Sequence, residues 1–528
     1  MTELGSAPCA AFREVKSRPR PSPPRSFALL SKRAQMRRRT GRAIMSHVDI
    51  TGFDLTIDEI VRVSREKAPI AVTPEAVERM KAARTIIDGA VARGEKVYGV
   101  TTSVGAKTGV PLAPERVGEF NRRLLLTHNV AHGPLASPEA VRAMMLVLLN
   151  SMASGRLGVR PLLAERLTEA LNSDSRVEVH VWGSMGQSDM APITDLALAL
   201  YGDLELQAGE ALALLNSSAL ALGIAALAMA ELQRSLDLWS LIAALSMEGF
   251  AANPSIVSEA ALRSRPFAGL ERHGRRIRGY LDGSYLFAKG GPRHLQDPLS
   301  FRSLPLLHGT AADSLDFAWR QIETEFRSSQ NNPIVSLEER SLVSVANFDT
   351  VSLSMALDIA RLAFAPVVTA SAERVAKQVD SVWSGLTVGL IEEDGVGLPG
   401  FNGLAQFHKA ITSEARLATA PVVQELASSS HSNGNLDRAG MATFAARKTM
   451  EVAGLCKSIA GLELMVAAQA VESRKATPLG AVTGKLFALL REAVPFAAAG
   501  DRVPHLDPLL RHVEARRSEI EALVDAEG

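Results

Sequence analysis

The residues best suited to chemistry lie in or beside Gly- and Pro-rich breaks between long apolar stretches. Tyr98 opens one break, Ser188 and Asp189 lie in a second, and Arg302 lies near the end of a third. A phenol can exchange a proton, and the planar guanidinium of an arginine can bind a carboxylate through two parallel hydrogen bonds. Asn216 interrupts a long uncharged run, where a buried amide needs a partner. Loops held by a rigid scaffold often carry function, so these breaks form the candidate site.

Composition excludes several classes of function. The chain has 528 residues and a formal net charge of +1, which gives no electrostatic case for a nucleic-acid or membrane partner. Its two cysteines, Cys9 and Cys456, provide neither a disulfide framework nor a Cys-based metal site, so a reducing cytoplasm is expected. The run from Ala211 to Ala230 could span a bilayer by length. Its Ala content and its internal Asn and Ser residues favour a buried helix instead.

The first 45 residues differ from the rest. They are basic and Pro-rich, with Arg and Pro alternating over residues 18–25, and this composition predicts a disordered tail. Two interpretations fit this composition: a dispensable tail, or residues that lie upstream of a translation start at Met45. A transit peptide is a third possibility, although no clear amphipathic helix supports it. The domain boundary is therefore predicted at 1–45 and 46–528.

The elements that must position the loops are predicted to be helices. Ala and Leu dominate the apolar residues, and both are strong helix formers. Thr73 is a suitable N-cap and Pro74 suits a first helical position, which predicts a helix through Ala76–Arg93. Helices are also predicted over 142–153, 162–171, 234–252, 310–325, 350–377 with a kink at Pro366, 413–428 and 440–473, with one or two short helices in the last 50 residues.

Seven short stretches, in the same order along the chain, resemble motifs of one enzyme family. They are 98–105 (Tyr-Gly-Val-Thr-Thr-Ser-Val-Gly), 121–128, 183–192 (Gly-Ser-Met-Gly-Gln-Ser-Asp-Met-Ala-Pro), 215–217, 296–302 (Gln-Asp-Pro-Leu-Ser-Phe-Arg), 330–333 and 345–348. Together they resemble the aromatic amino acid ammonia-lyases, which include the histidine and phenylalanine ammonia-lyases. The resemblance implies a mainly α fold, with a long central helix bundle and Gly-rich active-site loops, in a catalytic domain over 46–528. It also implies a homotetramer whose active sites draw loops from three subunits.

The resemblance assigns roles to individual residues. Tyr98 matches the catalytic tyrosine that removes the β-proton, and Arg302 matches the arginine that pairs with the substrate carboxylate. Asn216 and Gln296 match residues near the amino acid end of the substrate, and His128 matches a histidine on the substrate side. Each has a structural alternative, such as a loop tyrosine, an internal salt bridge or a satisfied buried amide.

The chain also departs from the family motifs. Leu299 replaces a tyrosine near the leaving group, and Leu436 replaces the glutamate of the histidine lyases. Lys377 lies in the segment that contacts the aromatic ring, where an ammonium could hold a thione sulfur or polarise the ring. A solvated helix face is the alternative for Lys377. His132 is interpreted as structural.

The most consequential departure is in the segment that builds the family's cofactor. In the family, an Ala-Ser-Gly tripeptide cyclises to a methylidene-imidazolone, an electrophile that assists the departure of a poor leaving group, the amine. Here the equivalent residues are Gln187, Ser188 and Asp189, with one residue missing and the glycine absent. The Cβ of Asp189 hinders the tight backbone turn that cyclisation requires. The sequence therefore predicts no cofactor and no metal, with ring formation as the alternative.

An absent electrophile restricts the substrate. A trimethylammonium group leaves as a neutral tertiary amine and needs no such assistance. The ergothionases resemble this family, lack its cofactor and split ergothioneine into trimethylamine and thiourocanate, and the chain is predicted to do the same. Trp182 and Trp383 could face the quaternary ammonium and Asp349 could neutralise it, although packing is the alternative for each tryptophan.

Two other functions remain open. One is a histidine-type aromatic amino acid ammonia-lyase or aminomutase with an atypical cofactor loop. The other is a non-catalytic relative, against which the retained Tyr98 and Arg302 argue.

Overall fold

The computed structural model describes residues 47–391, 396–397, 399–423 and 431–526, so the predicted tail at 1–45 lies outside the described residues. The helices up to the middle of the chain are α1 (Ile57–Arg65), α2 (Pro74–Ala92), α3 (Val117–His128), α4 (Pro138–Ala153), α5 (Pro161–Asn172), α6 (Met190–Tyr201), α7 (Glu210–Leu215), α8 (Ala219–Phe250), α9 (Glu259–Ser264) and α10 (Ala268–Tyr280). The later helices are α11 (Leu299–Arg302), α12 (Leu304–Phe326), α13 (Val351–Val379), α14 (Ser381–Ser384), α15 (Asn402–Ala418), α16 (Ala442–Ser473), α17 (Thr483–Arg491), α18 (Leu506–Ala515) and α19 (Arg517–Val524). Short 3₁₀ turns lie at Gly105–Lys107, Pro114–Arg116, Pro254–Val257, Tyr285–Phe287, Val388–Leu390 and His431–Gly434.

Long helices form the centre of the molecule. α8 packs along α16 and also contacts α4 and α12, while α13 packs against α12, α15 and α16. Nearly every residue of α8 is buried, and its apolar side chains surround the whole helix. A helix that is apolar on all sides is typical of a position enclosed by other helices. The predicted mainly α fold with a long central bundle is confirmed.

Strands are few and short in the described ranges. β1 (Val48–Ile50) pairs in parallel with β2 (Ile70–Val72), β3 (His132–Leu135) pairs antiparallel with β4 (His180–Trp182), and β5 (Ile334–Ser336) pairs antiparallel with β6 (Ser341–Val343). The sequence predicted none of them, because strands this short carry too few residues for an alternating pattern to be recognised.

Most predicted helices are confirmed, with three corrections. The last 50 residues hold three short helices, α17, α18 and α19, and not one or two. The Thr73 side chain accepts a hydrogen bond from the Ala76 amide and Pro74 begins α2, as expected. The helix predicted over 413–428 is wrong in its bounds, because α15 ends at Ala418 and 424–428 lies outside the described residues. The run 211–230 is not one helix, because the chain breaks between α7 and α8 at Asn216.

Two helical segments of the described residues are long and apolar enough to cross a membrane by length and composition. They are Glu210–Phe250, whose most apolar window is 94% buried, and Val351–Val379, whose window is 56% buried. The first contains the uncharged run 211–230, which lies inside the bundle as predicted.

Candidate active site

The loop between β4 and α6 is held against the first turn of α16. The Met441 amide donates to the Met185 carbonyl at 2.8 Å. Gly186 has φ +81°, and a Cβ there would lie 2.2 Å from the Ala442 nitrogen, so only glycine fits. Ser188 also has a left-handed backbone, with φ +68°, and is 3% exposed. The loop is therefore compact and closely constrained on both sides of Gln187.

Asp189 ties this loop to two central helices. Its amide donates to the Ser217 carbonyl at 2.7 Å. Its carboxylate accepts hydrogen bonds from the Ser184 hydroxyl and the Ala221 amide, both at 2.8 Å, and from the Thr443 hydroxyl. Burial raises the pKa of Asp189, against the opposing effect of these hydrogen bonds. The residue therefore caps the start of α8 and joins it to α16.

The break between α7 and α8 adds polar groups beside the loop. The Asn216 side chain donates from Nδ2 to the Asn332 carbonyl at 2.9 Å. The buried hydroxyls of Ser188, Ser217 and Ser218 have no hydrogen-bond partner among the described residues. Asn216 is therefore held in place, and a group of buried hydroxyls remains unsatisfied near Asp189.

An ion pair closes one side of the loop. Gln187 forms an isolated antiparallel bridge with Asp349, and its side chain donates to the Arg438 carbonyl. Arg438 Nη1 donates to Asp349 Oδ2 at 2.7 Å. The charge of Asp349 is thus already matched within the chain. Leu436 lies two residues before Arg438 and is half-buried.

Tyr98 lies in the Gly-rich segment after α2. Its phenolic oxygen accepts a hydrogen bond from the Gly105 amide at 3.0 Å. Gly105 has φ +59°, and a Cβ there would lie 3.3 Å from the Ser432 hydroxyl, so this turn adjoins the turn at 431–434. A Cβ at Gly99 would lie 2.1 Å from Leu212 Cδ2, so the neighbouring backbone packs closely on α7. The phenol oxygen is therefore held by a backbone donor on a tightly packed loop.

Arg302 ends the single turn α11 and is exposed. Its Nε donates to the Asp297 carbonyl at 2.7 Å, and its Nη1 donates to Gln296 Oε1. Its Nη2 makes no hydrogen bond within the described part of the chain. Phe301 is buried and stacks on Phe250, with ring centroids 4.3 Å apart. The guanidinium is thus fixed at one edge and open at the other.

Lys377 belongs to the same neighbourhood. Its Nζ lies 5.2 Å from the centroid of the Trp383 ring, a cation–π distance. The Trp383 carbonyl accepts hydrogen bonds from Arg293 and His294 at 2.9 and 3.1 Å. The His294 ring lies 5.7 Å from Phe250, the ring on which Phe301 stacks. Arg302, Gln296 and Lys377 therefore lie in one cluster.

The remaining aromatic candidates lie near the start of the 183–190 loop. His128 Nδ1 lies 2.8 Å from the Leu124 carbonyl, which can only accept, so Nδ1 carries the proton and Nε2 is left open. His132 is exposed and pairs with Trp182 across β3 and β4. A Cβ at Gly133 would lie 2.3 Å from the Trp182 ring, so this ring packs on the backbone.

Comparisons with known proteins match most of the chain to one family. A profile of the aromatic amino acid lyases matches residues 55–492, which is most of the chain. The chain is 31% identical to the histidine ammonia-lyase of Stigmatella aurantiaca over 487 residues, covering 87% of this chain and 94% of that protein. It is 28% identical to the histidine ammonia-lyase of Alkaliphilus metalliredigens over 488 residues, covering 88% of this chain and 95% of that protein.

The chain belongs to the aromatic amino acid lyase family. Its members are carbon–nitrogen lyases.

Solved structures of this family share the fold. The ergothionase of Treponema denticola, in complex with desmethyl-ergothioneine sulfonic acid, superposes with a TM-score of 0.83 at 24% identity, covering 89% of this chain and 99% of that one. The histidine ammonia-lyase of Trypanosoma cruzi gives a TM-score of 0.82 at 24% identity, covering 91% and 96%. At this identity the likeness establishes the fold of this aromatic amino acid lyase and nothing finer.

Within one subunit of this aromatic amino acid lyase, no hydrogen bond or ion pair among the described residues joins the cluster of Arg302, Gln296 and Lys377 to Tyr98 or Asn216. Arg302, Gln296 and Lys377 lie in one cluster, and Asn216 lies beside the 183–190 loop in another. Tyr98 lies on a third segment, next to the turn at 431–434. Among the described residues, no group of three His, Cys, Asp or Glu side chains is arranged to hold a metal ion.

Two buried charged residues of the lyase were missed by sequence reasoning. Glu463 and Arg374 form an ion pair in the bundle, and both are fully buried. A signal existed for Glu463, which is the one charged residue in the stretch 459–471, where Gln469 is the other polar residue. A charge at such a position requires a buried partner. Nothing comparable marked Arg374, because the residues around it include other charges.

Proposed function

We propose that this lyase eliminates trimethylamine from an aromatic amino acid betaine, with ergothioneine converted to thiourocanate, and that it does so without a methylidene-imidazolone. The observation that carries the proposal is the anchoring of Asp189. In the family the ring nitrogen comes from the residue after the serine, and here that residue is Asp189.

Cyclisation at this position conflicts with the contacts of Asp189. Its amide nitrogen is engaged with the Ser217 carbonyl at 2.7 Å, and its carboxylate is fixed by the Ala221 amide and two hydroxyls. Attack of this nitrogen on the Gln187 carbonyl would break the amide hydrogen bond and draw the carboxylate out of its buried site. A buried carboxylate that loses its donors costs free energy. The residues present therefore do not fit the ring.

The chemistry that remains is a simple elimination. Tyr98, as the phenolate, takes the β-proton, the C–H electron pair becomes the Cα=Cβ double bond, and the Cα–N bond breaks. The nitrogen leaves with its electron pair as neutral trimethylamine, and the proton passes from Tyr98 to solvent. A primary ammonium can instead lose an N–H proton to a base and become a neutral amine, which is a poor leaving group. A quaternary ammonium has no such proton, which is the reason for choosing a betaine.

The cluster around Arg302 supplies the binding groups. Nη2 of Arg302 is available to a carboxylate, while Gln296 and the Asp297 carbonyl hold the rest of the guanidinium. Lys377 lies over Trp383 and is suited to a polarisable ring substituent such as a thione sulfur. His128 and Asn216 are proposed to contact the substrate from the side of the 183–190 loop.

The assembly is proposed to be a homotetramer with shared active sites. Within one subunit, Arg302 makes no hydrogen bond or ion pair with Tyr98 or Asn216 among the described residues, which favours sites built from several subunits. Exposed apolar side chains on the long helices, including Met355 at 44% and Leu362 at 46% exposure on α13, also favour burial by other copies.

A conventional histidine ammonia-lyase is the second candidate. The observation that favours it is the match to curated histidine ammonia-lyases over most of the chain. This candidate requires the methylidene-imidazolone to form even though Asp189, and not a glycine, follows Ser188.

A two-substrate assay with an intact mass measurement separates the candidates. We expect the purified protein to release trimethylamine from ergothioneine with a new conjugated absorbance, to leave histidine unchanged, and to have the mass of the unmodified chain. Consumption of histidine alone, by a protein two water molecules lighter, would establish the second candidate instead. Failure to turn over either substrate would favour a non-catalytic relative.

Replacing the proposed base tests the mechanism separately. In Tyr98→Phe we expect kcat to fall by about 10²–10⁴-fold, the usual contribution of a general base. Tyr280→Phe is the matched control, because the Tyr280 hydroxyl donates to the Val524 carbonyl in the core. The control should lose thermal stability and keep its kcat. An unchanged rate in Tyr98→Phe would refute the base assignment.

A further inference from the structure

A buried carboxylate gathers five donors at the centre of the bundle. Glu463 on α16 accepts from Arg374 Nε at 2.6 Å and from Arg374 Nη2 at 2.8 Å. It also accepts from Trp239 and Ser246 on α8 at 2.8 Å each, and from Ser371 on α13 at 2.6 Å. Burial raises the pKa of Glu463, but the Arg374 charge and these hydrogen bonds outweigh it and hold the pKa at about 2. The carboxylate is thus a fixed anion that holds Arg374 in one orientation.

The third branch of Arg374 points away from this carboxylate. Its Nη1 donates to the Ser300 carbonyl at 3.1 Å. Ser300 lies within the single turn α11, two residues before Arg302. A four-residue helix has almost no internal hydrogen bonding, so its orientation depends on external contacts such as this one. Stacking of Phe301 on Phe250 is the second external contact.

We propose that Arg374 is a positioning residue for the substrate carboxylate, acting through the Ser300 carbonyl to fix α11 and therefore Arg302. The inference rests on the carboxylate-binding role of Arg302 in the proposed function. The branched guanidinium of Arg374 is essential, because two of its nitrogens donate to Glu463 and only the third, Nη1, reaches the Ser300 carbonyl of α11. A lysine has a single ammonium and cannot reproduce both contacts.

Substitution with lysine separates positioning from folding. In Arg374→Lys the buried ion pair with Glu463 can persist while the contact to Ser300 is lost. We expect KM for ergothioneine to rise on the order of tenfold to a hundredfold, because a misplacement of about 1 Å has effects of this size. We expect kcat to change much less, since carboxylate binding contributes to the ground state and the transition state alike.

Arg142→Lys provides the matched control. Arg142 is 5% exposed and its guanidinium donates to the Val63 and Leu171 carbonyls, so it also ties buried segments together. Both variants should melt at lower temperature than the wild type, but only Arg374→Lys should raise KM. An equal rise of KM in both variants, or in neither, would overturn the proposal.

A double-variant cycle tests whether Arg374 acts through Arg302. The KM effect of Arg374→Lys should largely disappear in the Arg302→Met background, because the group being positioned is gone. Additive effects would mean that Arg374 acts elsewhere.

Failure of the proposed function would appear in the two-substrate assay, independently of the Arg374 variants. If the wild type consumes histidine and not ergothioneine, the same cycle is run on histidine, which also carries a carboxylate. If neither is consumed, the Kd of thiourocanate replaces KM in the same comparison of variants.

Discussion

The amide of Asp189 donates a hydrogen bond to Ser217, and its carboxylate accepts hydrogen bonds from α8 and α16. A glycine at this position could make only the amide hydrogen bond. The loss of a residue next to Ser188 could be predicted from the sequence, because the motif is one residue short. The anchoring of Asp189 could not be predicted from the sequence, because its partners Ser217, Ala221 and Thr443 are distant in sequence from the loop or from one another. Sequence reasoning identified the obstacle as the Cβ of Asp189, and the structure adds the network that holds it.

At the same scale, the proposed contact of Lys377 with the substrate ring can be tested apart from carboxylate binding. In Lys377→Met we expect KM for ergothioneine to rise about tenfold or more, because a charged contact to the ring substituent is lost. A substrate analogue lacking sulfur, the trimethylbetaine of histidine, should be affected less. Steady-state kinetics on both betaines measure the difference.

Lys448→Met is the control for Lys377, because Lys448 also lies over an aromatic ring, 5.7 Å from the centroid of Phe444. Its kinetics should match the wild type. A loss of the same size on both betaines would show that Lys377 does not contact the ring substituent.

Among the elements, α8, α13 and α16 are joined at Glu463 by charge as well as by apolar packing. Breaking a buried ion pair by removing one charge typically costs about 3–5 kcal/mol, so Glu463→Gln should be strongly destabilised at neutral pH. The lowered pKa of Glu463 fixes the direction of the pH effect. Its stabilisation is fully present above the ordinary glutamate pKa and is lost as the pH falls toward about 2.

Thermal unfolding at several pH values measures this effect. The difference in Tm between wild type and Glu463→Gln should be largest near neutrality and should narrow on the acid side. Glu492→Gln removes an exposed partner of Arg516 and should change Tm little at any pH. A Tm difference that stayed constant from neutral to acid pH would contradict the assignment of Glu463 as an anion.

Helical elements were predictable to the extent that local signals were strong. The Thr73 cap and Pro74 located α2, and apolar spacing located α4 and α5. The break at Asn216 was not predictable, because Asn216 and the serines after it are compatible with a continuous helix in a chain of this composition. Asp189 and Asn332 supply the hydrogen bonds that stabilise the break, and these are tertiary contacts.

For the whole molecule, a site in which Tyr98 and Arg302 come from different subunits, as proposed, has a measurable consequence. If these residues serve one site from different subunits, co-expression of Tyr98→Phe with Arg302→Met should restore activity that neither variant has alone. Random mixing would give about a quarter of the sites an intact pair. Light scattering should show a tetramer in every sample.

Each variant expressed alone provides the background for this test. Activity no higher than the sum of the two backgrounds would place both residues in the same subunit's site. Which subunit supplies each site residue could not be predicted from the residues, because the order of the motifs along the chain carries no information on which subunit completes a site.

The contacts on the 183–190 loop also restrict how such a protein could change its chemistry during evolution. Substituting glycine for Asp189 would supply a flexible nitrogen but would remove the carboxylate that caps α8 and joins it to α16. Inserting a glycine after Ser188 would keep that carboxylate, but the extra residue would have to fit between Asp189 and Gly186, whose Cα already lies against the Ala442 backbone. If the ring is absent, as proposed, regaining it would require an insertion together with changes where the loop packs on the start of α16, whereas a single deletion would remove it. On this geometry, losing the ring-forming segment is far easier than regaining it.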